Sequence, residues 1–253
     1  MEDKRENAES LVVSDRCVVG DFGKSGTDEL DELDFVDDGY LEIRGNVQLH
    51  IKKLINGKKS KRTPYEFYII GDPGKAGKDS REGEDGGNGE NGVQTTVEIT
   101  IDDLESEIHV VTTGGKGGAG GSGMDGYRGG DGMDAQQGCC QGQYARGAAG
   151  GDGTDGFGAG GNGGDGSDAP DVTINWKRGR RGAKILCESR PSAGGACGKG
   201  GRGGAGGTGG RNGDGKTRAA DGNAGTDQPD GTPGKPGKPV EVKVIHGVKE
   251  DER

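Results

Sequence analysis

The sequence predicts a mainly β fold with polyproline/polyglycine-II backbone: a small β-sheet or β-sandwich base carrying three long glycine-rich excursions. Three observations point there. Glycine recurs every third residue over long stretches, as in Gly114, Gly117, Gly120, Gly123, Gly126, Gly129 and Gly132. Between those stretches lie short runs that alternate apolar and polar residues, the period of a half-buried strand. Hydrophobic residues make up only 27% of the chain and glycine 59 of its 253 residues, too little side chain for a conventional apolar core of this size.

Residues 1–38 are polar and acidic, ending in Asp28, Glu29, Leu30, Asp31, Glu32, Leu33, Asp34 and Phe35, and are expected to form a mobile tail. The remainder, 39–253, is expected as one domain. Its β base falls at about 40–70, 95–112, 170–188 and 240–247. Leu41 and Ile43, then Val47, Leu49 and Ile51, suggest a hairpin closed by a three-residue loop, Arg44 to Asn46, which keeps Ile43 opposite Val47. A strand from Tyr65 to Ile70 follows. From there one unit recurs three times: strand, glycine excursion, strand, tight turn.

The excursions are 71–92, 114–168 and 194–239. A three-residue glycine period gives a three-residue turn with one bare edge, so that another backbone can come close. Each excursion has to leave the base and come back. The glycine phase breaks at Asp79 to Glu82, Met133 to Arg146 and Lys216 to Asp221, so about six antiparallel helices are expected. Gly198 to Gly213 and Gly114 to Gly123, with two glycines per turn, should be central. The segment from Gly222, carrying Pro229, Pro233, Pro236 and Pro239, should be peripheral because proline donates no N–H.

Few motifs carry chemistry. Gly210 to Thr217 fits the P-loop spacing, but glycine triplets precede it where a strand is needed, and such chains produce the pattern by chance. Gly129 to Asp134, Gly150 to Asp155 and Gly163 to Asp168 each read Gly-Gly-Asp-Gly-x-Asp, the first six positions of a calcium-binding nonapeptide. They are not in tandem, so solvated aspartates on a helix edge are the plainer reading. His50, His109 and His246 lie in strands without a Cys or His at ligand spacing. No catalytic, cofactor or metal site is expected, and no enzyme.

Two binding candidates remain. One is the tip of the longest excursion: Gln136, Gln137, Cys139, Cys140, Gln141, Gln143, Tyr144 and Arg146. The other is a basic docking turn, Trp176, Lys177, Arg178, Arg180 and Arg181, which could meet the acidic stretch Asp28 to Asp38 of the same or another chain. A net charge of −10 argues against nucleic acid as partner. The start of the sequence has no signal-peptide pattern, and no run reaches the roughly 20 apolar residues of a membrane span. A cytoplasmic protein or a component of a virion or other assembly is therefore expected.

In its triplet stretches the chain resembles polyglycine-II bundle proteins: adhesins at the tips of phage tail fibres, springtail antifreeze proteins, and glycine-rich regions inserted in β-sandwiches. The adhesin resemblance implies a rigid scaffold whose distal loops recognise a protein or cell-surface receptor. The antifreeze resemblance implies a flat face of small residues, which Lys116, Asp125, Arg128, Asp131 and Lys199 would roughen. A self-assembling structural subunit and a calcium-binding Gly/Asp-rich protein are the other expectations.

Overall fold

In the computed structural model, which describes residues 10–59, 66–81, 84–136 and 145–247, strands are laid alternately into two sheets. The strands are β1 (Ser10–Val13), β2 (Arg16–Val19), β3 (Ser25–Asp37), β4 (Tyr40–Arg44), β5 (Asn46–Lys59) and β6 (Phe67–Ile70). They continue with β7 (Thr96–Leu104), β8 (Ile108–Thr113), β9 (Asp171–Gly179), β10 (Ile185–Arg190) and β11 (Lys243–His246). Odd-numbered strands form a six-stranded sheet in chain order, and even-numbered strands form a five-stranded one. Every pairing is parallel. The chain therefore coils like a flattened solenoid, each turn adding one strand to each side.

Stacking in register puts like residues in columns. Val47, Val97 and Val172 form one column, and Leu49, Ile99, Ile174 and Val244 the next. Across the core, Cys17, Leu41, Phe67, Val110 and Cys187 line up in the other sheet. Phe35 of β3 meets Phe67 of β6 edge to face at 5.4 Å, both fully buried, which ties the two sheets together. A small apolar content suffices because the coils from β4 to β9 bury only four to six inward residues of the core each.

This arrangement corrects two expectations. Leu41 to Ile51 is not a hairpin. Gly45, at φ 70°, turns the chain from one sheet into the other, so Leu41 pairs with Phe67 and Val47 with Val97, both in parallel. The acidic stretch expected to be mobile contributes β1, β2 and β3 from residue 10 onward, with Leu33 and Phe35 fully buried. Apart from Asp28, which is level with the inward Leu49, the acidic residues here include an outward set: Glu29 and Asp31 meet Lys52 and Glu32 meets Lys53.

The glycine excursions all leave the five-stranded sheet and return to the six-stranded one, after β6, β8 and β10. The two earlier coils turn the same corner with only Gly20–Lys24 and Gly45.

Candidate functional site

The six excursion arms are numbered here in chain order: 71–81, 84–95, 114–136, 145–170, 191–213 and 218–242. They contain no regular strand or helix, yet their backbone N–H groups are bonded at three-residue intervals. Gly74, Gly77 and Ser80 of the first arm donate to Lys116, Ala119 and Ser122 of the third. Gly117, Gly120, Gly123, Gly126, Gly129 and Gly132 donate in step to Ala193 through Thr208 of the fifth. In these sets donor and acceptor numbers rise together. Other sets run in opposite senses: Gly118 donates to Glu90 and Gly121 to Gly87, and Gly195 donates to Gly164 while Gly198 donates to Gly161.

The third and fourth arms each bond to four others. The fifth bonds to three and the proline-bearing sixth to two. The fifth arm, expected to be central, thus lies in the outer row, and the fourth takes its place. Order along the coil decides this: the middle excursion is flanked on both sides whatever its glycine content. The fifth arm's second set of glycines faces the sixth arm instead, where a side chain on Gly203 would overlap the carbonyl of Gly225.

Sequence reasoning missed the role of the aspartates and asparagines. Asp85, Asn88 and Asn91 accept the N–H groups of Ala159, Asn162 and Asp165, each 74 residues on. Asp125, Asp131 and Asp134 accept from Arg202, Thr208 and Arg211, each 77 residues on. Asp152 and Asp155 accept from Asn223 and Thr226, and Asp165 and Asp168 from Lys235 and Lys238. All six aspartates at positions three and six of the Gly-Gly-Asp-Gly-x-Asp segments are used this way. Among the described residues no group of three or more His, Cys, Asp or Glu is placed to hold a metal ion. The hydroxyl and N–H of Thr208 hold the Asp131 carboxyl below the usual range, and Thr226 does the same for Asp155. The constant spacings of 70, 71, 74 and 77 residues were the available signal.

At the distal end, the last described rungs are Ala135 to Arg211, Ala148 to Met133 and Gly213 to Ala145. Of the expected tip, Gln136 and Arg146 are exposed beyond or beside these rungs. Gln137, Cys139, Cys140, Gln141, Gln143 and Tyr144 lie outside the described residues. Met133 stands 82% exposed close by. The P-loop-like stretch is a tight turn here: Asp214 accepts the N–H groups of Lys216 and Thr217, and Gly215 has φ 66°. The side-chain oxygen of Asn212 accepts the Gly147 N–H, joining this turn to the tip.

Comparison with protein-family models, with curated proteins and with solved structures finds no match.

The basic turn is part of a charge pattern on the outer face of the six-stranded sheet. Rows alternate in sign: Glu29, Asp31 and Glu32 on β3; His50, Lys52 and Lys53 on β5; Asp102 and Glu105 at β7; Lys177 and Arg180 at β9. The rows pair throughout, with Lys53 to Glu32 at 2.9 Å, His50 to Asp102 at 3.1 Å, Lys177 to Asp102 at 2.9 Å and Arg180 to Glu105 at 2.8 Å. Parallel in-register stacking would set like charges side by side, and alternation of sign removes that cost. Lys177 and Arg180 therefore bind the neighbouring coil, and Arg178 and Arg181 stay exposed. Trp176 packs edge to face on His246 at 4.2 Å. Partial burial pushes the Asp102 carboxyl up, but hydrogen bonds from Lys177 and His50 outweigh it and hold it below the usual range.

Proposed function

We propose that the chain is a non-enzymatic structural and binding protein, with six polyglycine-II helices, in three antiparallel pairs, forming a rigid scaffold on a parallel β-solenoid. The observation that carries this reading is the three-residue interval of inter-arm hydrogen bonds, joined by Asp and Asn side-chain oxygens that accept further N–H groups. Each bond satisfies a donor that would be costly to bury unpaired. A methyl at Gly198 would overlap the carbonyl oxygen of Gly121, so the close approach depends on bare backbone.

On this reading the distal end, with Gln136, Arg146, Met133 and the 212–217 turn, is presented away from the base for contact with a protein or cell-surface receptor. Far-UV circular dichroism tests the scaffold: the polyproline-II signal should melt cooperatively, and a shallow non-cooperative change would count against it. Replacing 137–145 by a short glycine linker tests the tip. Whole bacterial cells in a co-sedimentation assay should retain the intact protein and lose the variant, with the dichroism spectrum unchanged.

A further inference from the structure

We infer that this protein stacks head to tail on a second copy of itself, the β10–β11 end of one copy seating on the β1–β3 end of the next. The inference rests on the two sheets and is independent of the polyglycine-II reading.

Both ends of the solenoid finish on parallel strand edges, β1 and β2 at one end, β10 and β11 at the other. The ends are stepped in matching ways. At the first end β1 pairs only with Glu32 to Phe35 of β3, and among the described residues no strand lies beside Ser25 to Asp31 on that edge. At the other end β11 pairs with Thr173 to Trp176 of β9, Gly247 continues it against Lys177, and among the described residues Arg178 and Gly179 have no neighbouring strand on that edge. Following the register through the sheet, Thr173 is level with Glu98, Gln48 and Thr27, while Arg178 is level with Asp103, Lys53 and Glu32. A second copy stacked in the same register therefore sets β11 beside Thr27 to Leu30, in the notch left by β1. The β1 of that copy fills the notch beside Arg178 and Gly179.

The chemistry of the two ends also matches. At the β10–β11 end the core is open, as a groove of about 280 Å³ lined by Ile185, Cys187, Val242 and Val244 among others. Val244 and Ile245 there are 42% and 49% exposed, and Val12 and Val18 at the opposite end 60% and 42%. The alternating rows end acidic on β3, with Glu29 and Asp31, and basic on β9 and β11, with Arg178 and Lys243. A second copy brings the basic end of one sheet toward the acidic end of the other, which favours this orientation over head-to-head contact. The two corners before the first excursion, Gly20–Lys24 and Gly45, are short, which leaves room between the glycine arms of successive copies.

One residue opposes tight association. Asp28 stands in the inward column of Leu49, Ile99, Ile174 and Val244, and an inward charge at a sheet edge weakens edge-to-edge pairing. The contact is accordingly reversible, and Asp28 supplies a test of it.

Cys17 and Cys187, both free thiols, end the same inward column of the five-stranded sheet. Within one copy they are four strand spacings apart, about 19 Å. Across the stacked junction they become neighbours at about 4.8 Å between Cα atoms, within disulfide range. The experiment uses the full chain carrying Cys139→Ser, Cys140→Ser and Cys197→Ser, with circular dichroism to verify folding. Mild oxidation should give a ladder of multimers on a non-reducing gel. Adding Cys17→Ser or Cys187→Ser should abolish the ladder, and mixing the two single-thiol proteins should give dimers only. Asp28→Val should lower the concentration for half-association in sedimentation by about tenfold, since an unpaired carboxylate no longer has to be buried. Absence of the ladder in the two-thiol protein, or crosslinks within either single-thiol protein alone, would overturn the inference. So would a monomer mass at every concentration for both the parent and Asp28→Val.

Discussion

Asp131 accepts the backbone N–H of Thr208, 77 residues further along the chain, at 2.8 Å, and the Thr208 hydroxyl at 2.7 Å. The same relation, a short acidic or amide side chain meeting the N–H of a parallel arm, recurs along the whole glycine region. What it needs first is an acceptor oxygen, which an asparagine supplies as well as an aspartate, while the charge of Asp131 adds to it.

That distinction gives the first prediction. Asp131→Asn keeps the acceptor, as Asn88 and Asn162 do elsewhere, and should melt close to the parent protein. Asp131→Ala leaves the Thr208 N–H without its partner and should melt several degrees lower. Asn162→Ala, which strands the N–H and hydroxyl of Thr232, should cost about 1 kcal/mol by denaturant titration.

Glycine positions should divide sharply. Gly198→Ala forces a methyl onto the Gly121 carbonyl, a backbone atom that cannot swing aside, and should cost about 2–3 kcal/mol. Gly130, which has open space where a Cβ would stand, should accept alanine within about 0.5 kcal/mol. Equal effects at the two sites would contradict the packing.

In the solenoid core, Phe67→Ala removes a fully buried ring from its column and from its contact with Phe35. It should cost about 3–5 kcal/mol and remove the cooperativity shared by the two sheets, measured by thermal and denaturant unfolding.

Stability should fall on acidification. Burial pushes the Glu42 carboxyl up, but hydrogen bonds from Arg16 at 2.7 Å and Arg44 at 2.6 Å outweigh it and hold it below the usual range. Asp131, Asp155 and Asp230 are lowered as well, by Thr208, Thr226 and Lys199 respectively. Carboxyls lowered in the folded state contribute stability above their unfolded value, about 3.9–4.3, and lose it as pH falls through the folded value. The melting temperature should therefore be level near neutrality and drop below about pH 4.

The strands from Leu41 onward were legible because alternation marks them, and Val172, Ile174 and Trp176 do share one face. Their partners were not. Alternation on either side of Gly45 is the same for a hairpin and for a solenoid corner; only the recurrence of Leu41, Phe67 and Val110 at equal height separates them. The stretch from Ser25 to Asp37 was misread because its acidic residues alternate with only a few apolar ones, and their partners Lys52 and Lys53 are distant in sequence. The aspartates looked solvated since nothing local needs them; their N–H donors lie 70–77 residues away.

Amide hydrogen exchange across 114–213 tests the central claim most directly. Gly117, Gly118, Gly120 and Gly121 donate to neighbouring arms, while Ala119 is exposed and donates to no acceptor among the described residues. The account predicts slow exchange at those glycines, fast exchange at Ala119, and the same three-residue rhythm through Gly195, Gly198, Gly201 and Gly204. Uniformly fast exchange, at the rate of a short free peptide, would contradict it.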